Sequence, residues 1–122
     1  MGKRTSGKFR RRKQDAYDTP ADAVAPVIPH IQPEARYLEL CAGAYDLVNA
    51  LPFECVAATD LVPRDERVFR MDAMSVTRAD VDATGADYII TNPPWTRELL
   101  HPMIELFASI RPTWLCSALD QR

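Results

Sequence analysis

Short apolar runs that end on an acid or an amide alternate with helical patterns along this chain, and that alternation restricts the fold more than any single motif. Arg36-Tyr37-Leu38-Glu39-Leu40, Cys55-Val56-Ala57-Ala58-Thr59, Val68-Phe69-Arg70-Met71 and the run through Ile89-Ile90 read as strands; Pro112 to Cys116 begins a fifth. Between them lie helical patterns. Thr19 reads as an N-cap with Pro20 at the first helical position, predicting a helix that stops before Pro29. Asp46 to Leu51 reads as a helix capped by Asp46, and Ser75 to Val81 as a short one. Thr96 to Ile110 carries an apolar stripe of Leu99, Leu100, Met103, Ile104, Phe107 and Ile110, with Pro102 near its first turns. Strands alternating with helices predict an α/β fold: a Rossmann-like parallel sheet of about five strands, joined by right-handed crossovers and flanked by helices.

Such sheets bind ligands beyond the carboxyl ends of their strands. Here four successive strand ends carry Glu39, Asp60, Asp72 and Asn92. Any one of them alone is as well explained as a helix cap or turn residue. Four in register point to a site.

The fourth is the most informative. Ile90 and Thr91 run into Asn92-Pro93-Pro94-Trp95. Each proline forces the residue before it out of the α region, and neither can donate to a sheet ladder. The strand therefore ends in a stiff corner that presents the Asn92 amide, the carbonyls of Asn92 and Pro93, and the face of Trp95. An exocyclic amine on a nucleobase is a poor nucleophile because its lone pair is delocalised into the ring. Two carbonyls accepting from its hydrogens would localise that lone pair, and an aromatic face can stack on a base taken out of its helix. The plainer alternative is an Asn-Pro turn with Trp95 as a core anchor.

Charge is divided unevenly. Of the 15 Lys and Arg residues, seven fall within residues 1–13 without an acid among them, leaving eight against all 17 acids. Residues 1–14 read as a disordered basic arm (3–13 its charged part) able to hold phosphate backbone, and 15–122 as the folded domain. A solvated tail without a partner is the alternative. No apolar run approaches the roughly 20 residues of a membrane span, and no apolar segment follows the basic start as in a secretory signal. Cys41, Cys55 and Cys116 are widely spaced without a C-x-x-C pair, so no zinc site or disulfide framework is implied. Reduced thiols in a cytoplasm fit best.

With these residues in place, the chain resembles the class I S-adenosylmethionine-dependent methyltransferases, in particular the amino-group (adenine N6 or cytosine N4) DNA methyltransferases, over about residues 15–116. Asn92-Pro93-Pro94-Trp95 is similar to that family's catalytic motif, and Glu39-Leu40-Cys41-Ala42-Gly43 to its first cofactor loop. Asp60, 21 residues after Glu39, matches the ribose-binding acid, and Asp72 the acid that accepts from the cofactor's adenine amine. Tyr17-Asp18-Thr19-Pro20 resembles the segment that contacts the methionine end. The resemblance implies a cofactor, S-adenosylmethionine, held by Thr19, Glu39, Ala42, Gly43, Asp60 and Asp72, no metal, and methyl transfer to adenine N6 in DNA through Asn92, Pro93, Pro94 and Trp95. Two departures stand out. The family has a glycine where this chain has Tyr45, a position where positive φ would strain a tyrosine by roughly 1–3 kcal/mol. The family's sheet also has seven strands, and the pattern here stops in or after the fifth, as in an incomplete methyltransferase.

Other readings share these residues. Cytosine N4, RNA and a glutamine side chain all offer an sp² amine. An inactive remnant that binds nucleic acid through its arm would keep the same scaffold. A nicotinamide dinucleotide fits poorly, because the loop after the first strand has only Gly43 where a pyrophosphate turn needs three glycines.

Overall fold

Strands that pair in parallel need a covering on both faces, and this chain supplies helices for each. The computed structural model describes residues 21–116; the basic arm, Thr19 and residues 117–122 lie outside them. Strands β1 (Arg36–Glu39), β2 (Glu54–Asp60), β3 (Phe69–Arg70), β4 (Tyr88–Thr91) and β5 (Thr113–Leu115) form one sheet in the order β3-β2-β1-β4-β5, every pair parallel. The fold is α/β and Rossmann-like. The chain builds outward from β1 to β3, then returns to lay β4 against the other side of β1. That reversal opens a crevice at the carboxyl ends of β1 and β4.

Side-chain alternation in the two central strands splits the core. Leu38 and Ile89 pack with Val81, Met103, Phe107 and Ile110, under helices α3 (Arg78–Thr84) and α4 (Arg97–Ala108). Tyr37 and Ile90 pack with Val24, Val27, Leu47, Leu51 and Cys116, under helices α1 (Ala21–Val24) and α2 (Asp46–Ala50). No helix among the described residues is long and apolar enough to cross a membrane.

Several boundaries differ from the sequence expectation. The first helix gives way at Ala25 to a 3-10 stretch, Ala25–His30, and runs through Pro29 instead of stopping before it. Pro26 cannot donate the bond that an α-helix requires there, and the tighter winding follows. The helix expected at Ser75 to Val81 begins later, at Arg78. Thr77 caps it and forms a reciprocal capping box with Asp80, and Gly85 closes it in the left-handed region at φ 72°. Ala73–Ser75 is a separate 3-10 turn. β3 is only two residues long. In α4 the exposed Pro102 is accommodated, since the carbonyl it cannot bond remains open to water.

Candidate functional site

A cavity of about 390 Å³ lies at the carboxyl edge of the sheet, a volume typical of small-molecule sites. The ends of β1 to β4 contribute to its wall: Glu39 to Ala44 and Asp46 at β1, Asp60 to Val62 and Arg64 at β2, Asp72 to Met74 after β3, Asn92 and Pro94 after β4. Leu99 and Met103 of α4 complete it. Residues scattered over half the chain thus meet at one place.

The loop after β1 is held from below and from the side. Ala42 donates its N–H to the Thr59 carbonyl at 2.9 Å, and Gly43 donates to Asp60 Oδ2 at 2.9 Å. Gly43 has φ +52°, and a Cβ there would stand 2.7 Å from an Arg64 guanidinium nitrogen. The backbone angle favours glycine, whereas the arginine, met at the end of a flexible side chain, can move aside. Tyr45 does adopt positive φ, 78°, the strained conformation. It occupies the N-cap of α2, so Asp46, expected as the cap, is instead the first helical residue. The Tyr45 ring packs on the cluster of Ala42, Ala58 and Val68, with the Arg67 guanidinium 4.0 Å above it. That ring is not part of the cavity wall. The ring's bulk is directed away from the cavity, and the backbone strain remains.

Asp60 uses both oxygens to organise its surroundings, accepting from Gly43 and from the Val62 N–H at 2.8 Å. Each carboxylate oxygen retains a second acceptor site, which suits a pair of adjacent hydroxyls. Asp72 caps the Ala73–Ser75 turn through Oδ1, which accepts from the Met74 N–H at 2.9 Å. Among the described residues, the wall carries four acids, Glu39, Asp46, Asp60 and Asp72, and one cation, Arg64. A positively charged ligand is electrostatically favoured there.

Glu39 is the buried member, 1% exposed. Its Oε1 accepts from the Cys41 N–H at 2.8 Å and from the Thr91 hydroxyl, and its Oε2 from the Asn92 N–H at 3.3 Å. Burial pushes its carboxyl up to about 7, against these three hydrogen bonds, which favour the charge. Burial likewise raises the Cys41 thiol, leaving it a weak nucleophile in the cavity wall.

Asn92 and Pro94 face the cavity, whereas the buried Pro93 and the half-buried Trp95 do not line it. Trp95 donates its indole N–H to the Asn92 amide oxygen at 3.0 Å. Sequence reasoning missed Thr91 and Arg64, as well as the apolar wall of Leu61, Met74 and Leu99. Thr91 precedes the Asn-Pro-Pro corner, but its partner Glu39 becomes visible only once β1 and β4 are known to be neighbours. Arg64 lies in a turn, and nothing in its local sequence marks it.

No family model, curated protein or solved structure matches this chain.

Proposed function

We propose that this chain is an S-adenosylmethionine-dependent methyltransferase acting on an exocyclic amino group, with adenine N6 in DNA as the target. The observation that carries the reading is the convergence of the Cys41-to-Gly43 loop, Asp60, Asp72 and Asn92 on one cavity at the β1–β4 reversal. The donor and acceptor chemistry of the wall fits the cofactor. Asp60 retains acceptor capacity for two ribose hydroxyls, Asp72 offers an acceptor to an adenine amine, and the acidic wall suits a sulfonium. When bound, the cofactor supplies an activated methyl group on positively charged sulfur.

The remaining work falls to the protein. The Asn92 side-chain carbonyl would accept a hydrogen bond from one N–H of the target amine, turning the nitrogen's lone pair toward the cavity; the Pro93 carbonyl, expected to accept from the other N–H, belongs to a buried residue outside the cavity wall. The Trp95 indole N–H, donating to the Asn92 oxygen, restrains the amide's rotation. Fixing both partners in line is worth more than either hydrogen bond alone. The basic arm, Lys3 to Lys13, would hold the nucleic acid backbone and make binding sensitive to salt.

The test is transfer of labelled methyl from S-adenosylmethionine to adenine-containing DNA, with Asn92→Ala as control. Transfer abolished by that substitution supports the assignment. Transfer unchanged in Asn92→Ala removes Asn92 from the chemistry, and no transfer to DNA, RNA or a glutamine peptide overturns the reading.

A further inference from the structure

We infer that Glu39 is a positioning residue for the Asn92–Trp95 turn, its carboxylate fastening that turn to the cofactor loop across the β1–β4 junction. β1 and β4 lie side by side, but the chain leaves them in different directions. After β1 it loops toward α2; after β4 it turns toward α4. The two exits are the loop Cys41-Ala42-Gly43 and the corner Asn92-Pro93-Pro94-Trp95. One buried carboxylate holds both, accepting from the Cys41 N–H on the loop side and from the Thr91 hydroxyl and Asn92 N–H on the corner side. At 1% exposure it is sealed from solvent, so its three donors are not exchanged for water. The hydrogen bond from Trp95 to the Asn92 side chain carries the same restraint to the end of the corner.

Three donors need an acceptor with no proton of its own. A carboxylate meets that need; a protonated acid or an amide turns a donor toward one of the three N–H or O–H groups. The corner's geometry is therefore tied to the charge of Glu39. The titratable groups around it are Tyr37 on its own strand, Cys41 in the loop, Cys55 and Asp60 from β2, and Cys116 after β5. Among the described residues none of these is a cation. Arg64 and the acids Asp46 and Asp72 line the same cavity. Burial places the Glu39 titration near neutrality, where the fastening can be switched in solution.

The catalytic consequence rests on the methyl-transfer reading, but the fastening itself can be followed without cofactor or substrate. Because the Trp95 indole N–H donates to Asn92, its ¹H–¹⁵N resonance reports the state of the corner. Trp114, stacked on His30 at 5.6 Å between ring centroids, supplies a second indole signal outside the corner. In the full chain titrated from about pH 5 to about pH 9, the Trp95 resonance shifts with a midpoint near 7. In Glu39→Gln the Trp95 shift is lost, while a dispersed Trp114 indole resonance certifies the fold. In Thr91→Val, which removes one bond that favours the charged form, the midpoint moves upward. A Trp95 resonance that is flat in the unsubstituted chain, or that titrates identically in Glu39→Gln, overturns the proposal. If Glu39→Gln does not fold, an unmoved midpoint in Thr91→Val overturns it. For methyl transfer, Thr91→Val lowers kcat with the Kd for S-adenosylhomocysteine little changed. A Kd raised by as much as kcat falls makes Glu39 part of cofactor binding and overturns its positioning role.

Discussion

The indole nitrogen of Trp95 lies 3.0 Å from the amide oxygen of Asn92, so the aromatic that ends the Asn-Pro-Pro-Trp corner is also the group that orients its first residue. Stacking and orientation are separable. Trp95→Phe keeps a flat ring and removes the indole donor. One lost hydrogen bond is worth about 1 kcal/mol, so kcat should fall by roughly five- to tenfold with cofactor affinity unchanged. Steady-state kinetics on an adenine-containing duplex check this. A Trp95→Phe variant with full kcat would show that the donor is dispensable.

Tyr45 is held at φ 78°, where a non-glycine residue is strained by about 1–2 kcal/mol. Tyr45→Gly relieves the strain but loses the ring's packing and its Arg67 contact. Tyr45→Ala loses the packing and keeps the strain. The glycine variant should therefore be the more stable of the two by about 1 kcal/mol in urea denaturation. The reverse order would mean that the backbone relaxes out of the left-handed region. Because the ring is not in the cavity wall, neither variant should change cofactor affinity by more than the loop's altered stability dictates.

Stability should fall with rising pH across the range in which Glu39 ionises. Its folded value, about 7, lies above its ordinary 4.5. The folded state then binds the proton more tightly than the unfolded chain. That contribution is fully present below about 4.5, and it is lost progressively up to about 7. The shift corresponds to about 3 kcal/mol at most. Asp65, held down at about 2 by its bonds from Arg67, acts in a lower window and does not confuse the measurement. Urea midpoints at the two ends of the Glu39 range test this, and Glu39→Gln should flatten the profile.

Gly43→Ala should cost about 1–2 kcal/mol and weaken binding in the cavity through the φ +52° strain, since the Arg64 guanidinium that a Cβ meets at 2.7 Å ends a flexible side chain and can move aside. Adding Arg64→Ala should therefore recover little of the loss. Full recovery in the double variant would assign the cost to the arginine instead of to φ. Thermal denaturation with and without S-adenosylhomocysteine reads both effects.

The parallel sheet was legible because its evidence is local. Runs such as Leu38 and Ile89-Ile90, buried on both sides, differ plainly in period from the α4 stripe of Met103 and Phe107. The clustering of Glu39, Asp60, Asp72 and Asn92 was legible through a general rule about strand ends. What escaped were relations between distant residues. The Glu39–Thr91 contact depends on β4 returning to β1, and the placement of Arg64 over Gly43 depends on how the β2–β3 turn folds back. Helix starts failed for a local reason: the Thr77–Asp80 box was present in the sequence, but the preceding Asp72-to-Ser75 turn blurred where the helix began.

The strand order also governs when the site can come into being. The Arg36 N–H bonds to Asp87, 51 residues away, and the Asn92 N–H bonds to Glu39 across 53. Closing so long a loop costs entropy that no neighbouring contact offsets early on, so pairing of β1 with β4 belongs late in folding. A chain emerging from the ribosome can pair β1, β2 and β3 first, but the cavity has no second wall until the Asn-Pro-Pro-Trp corner has left the exit tunnel.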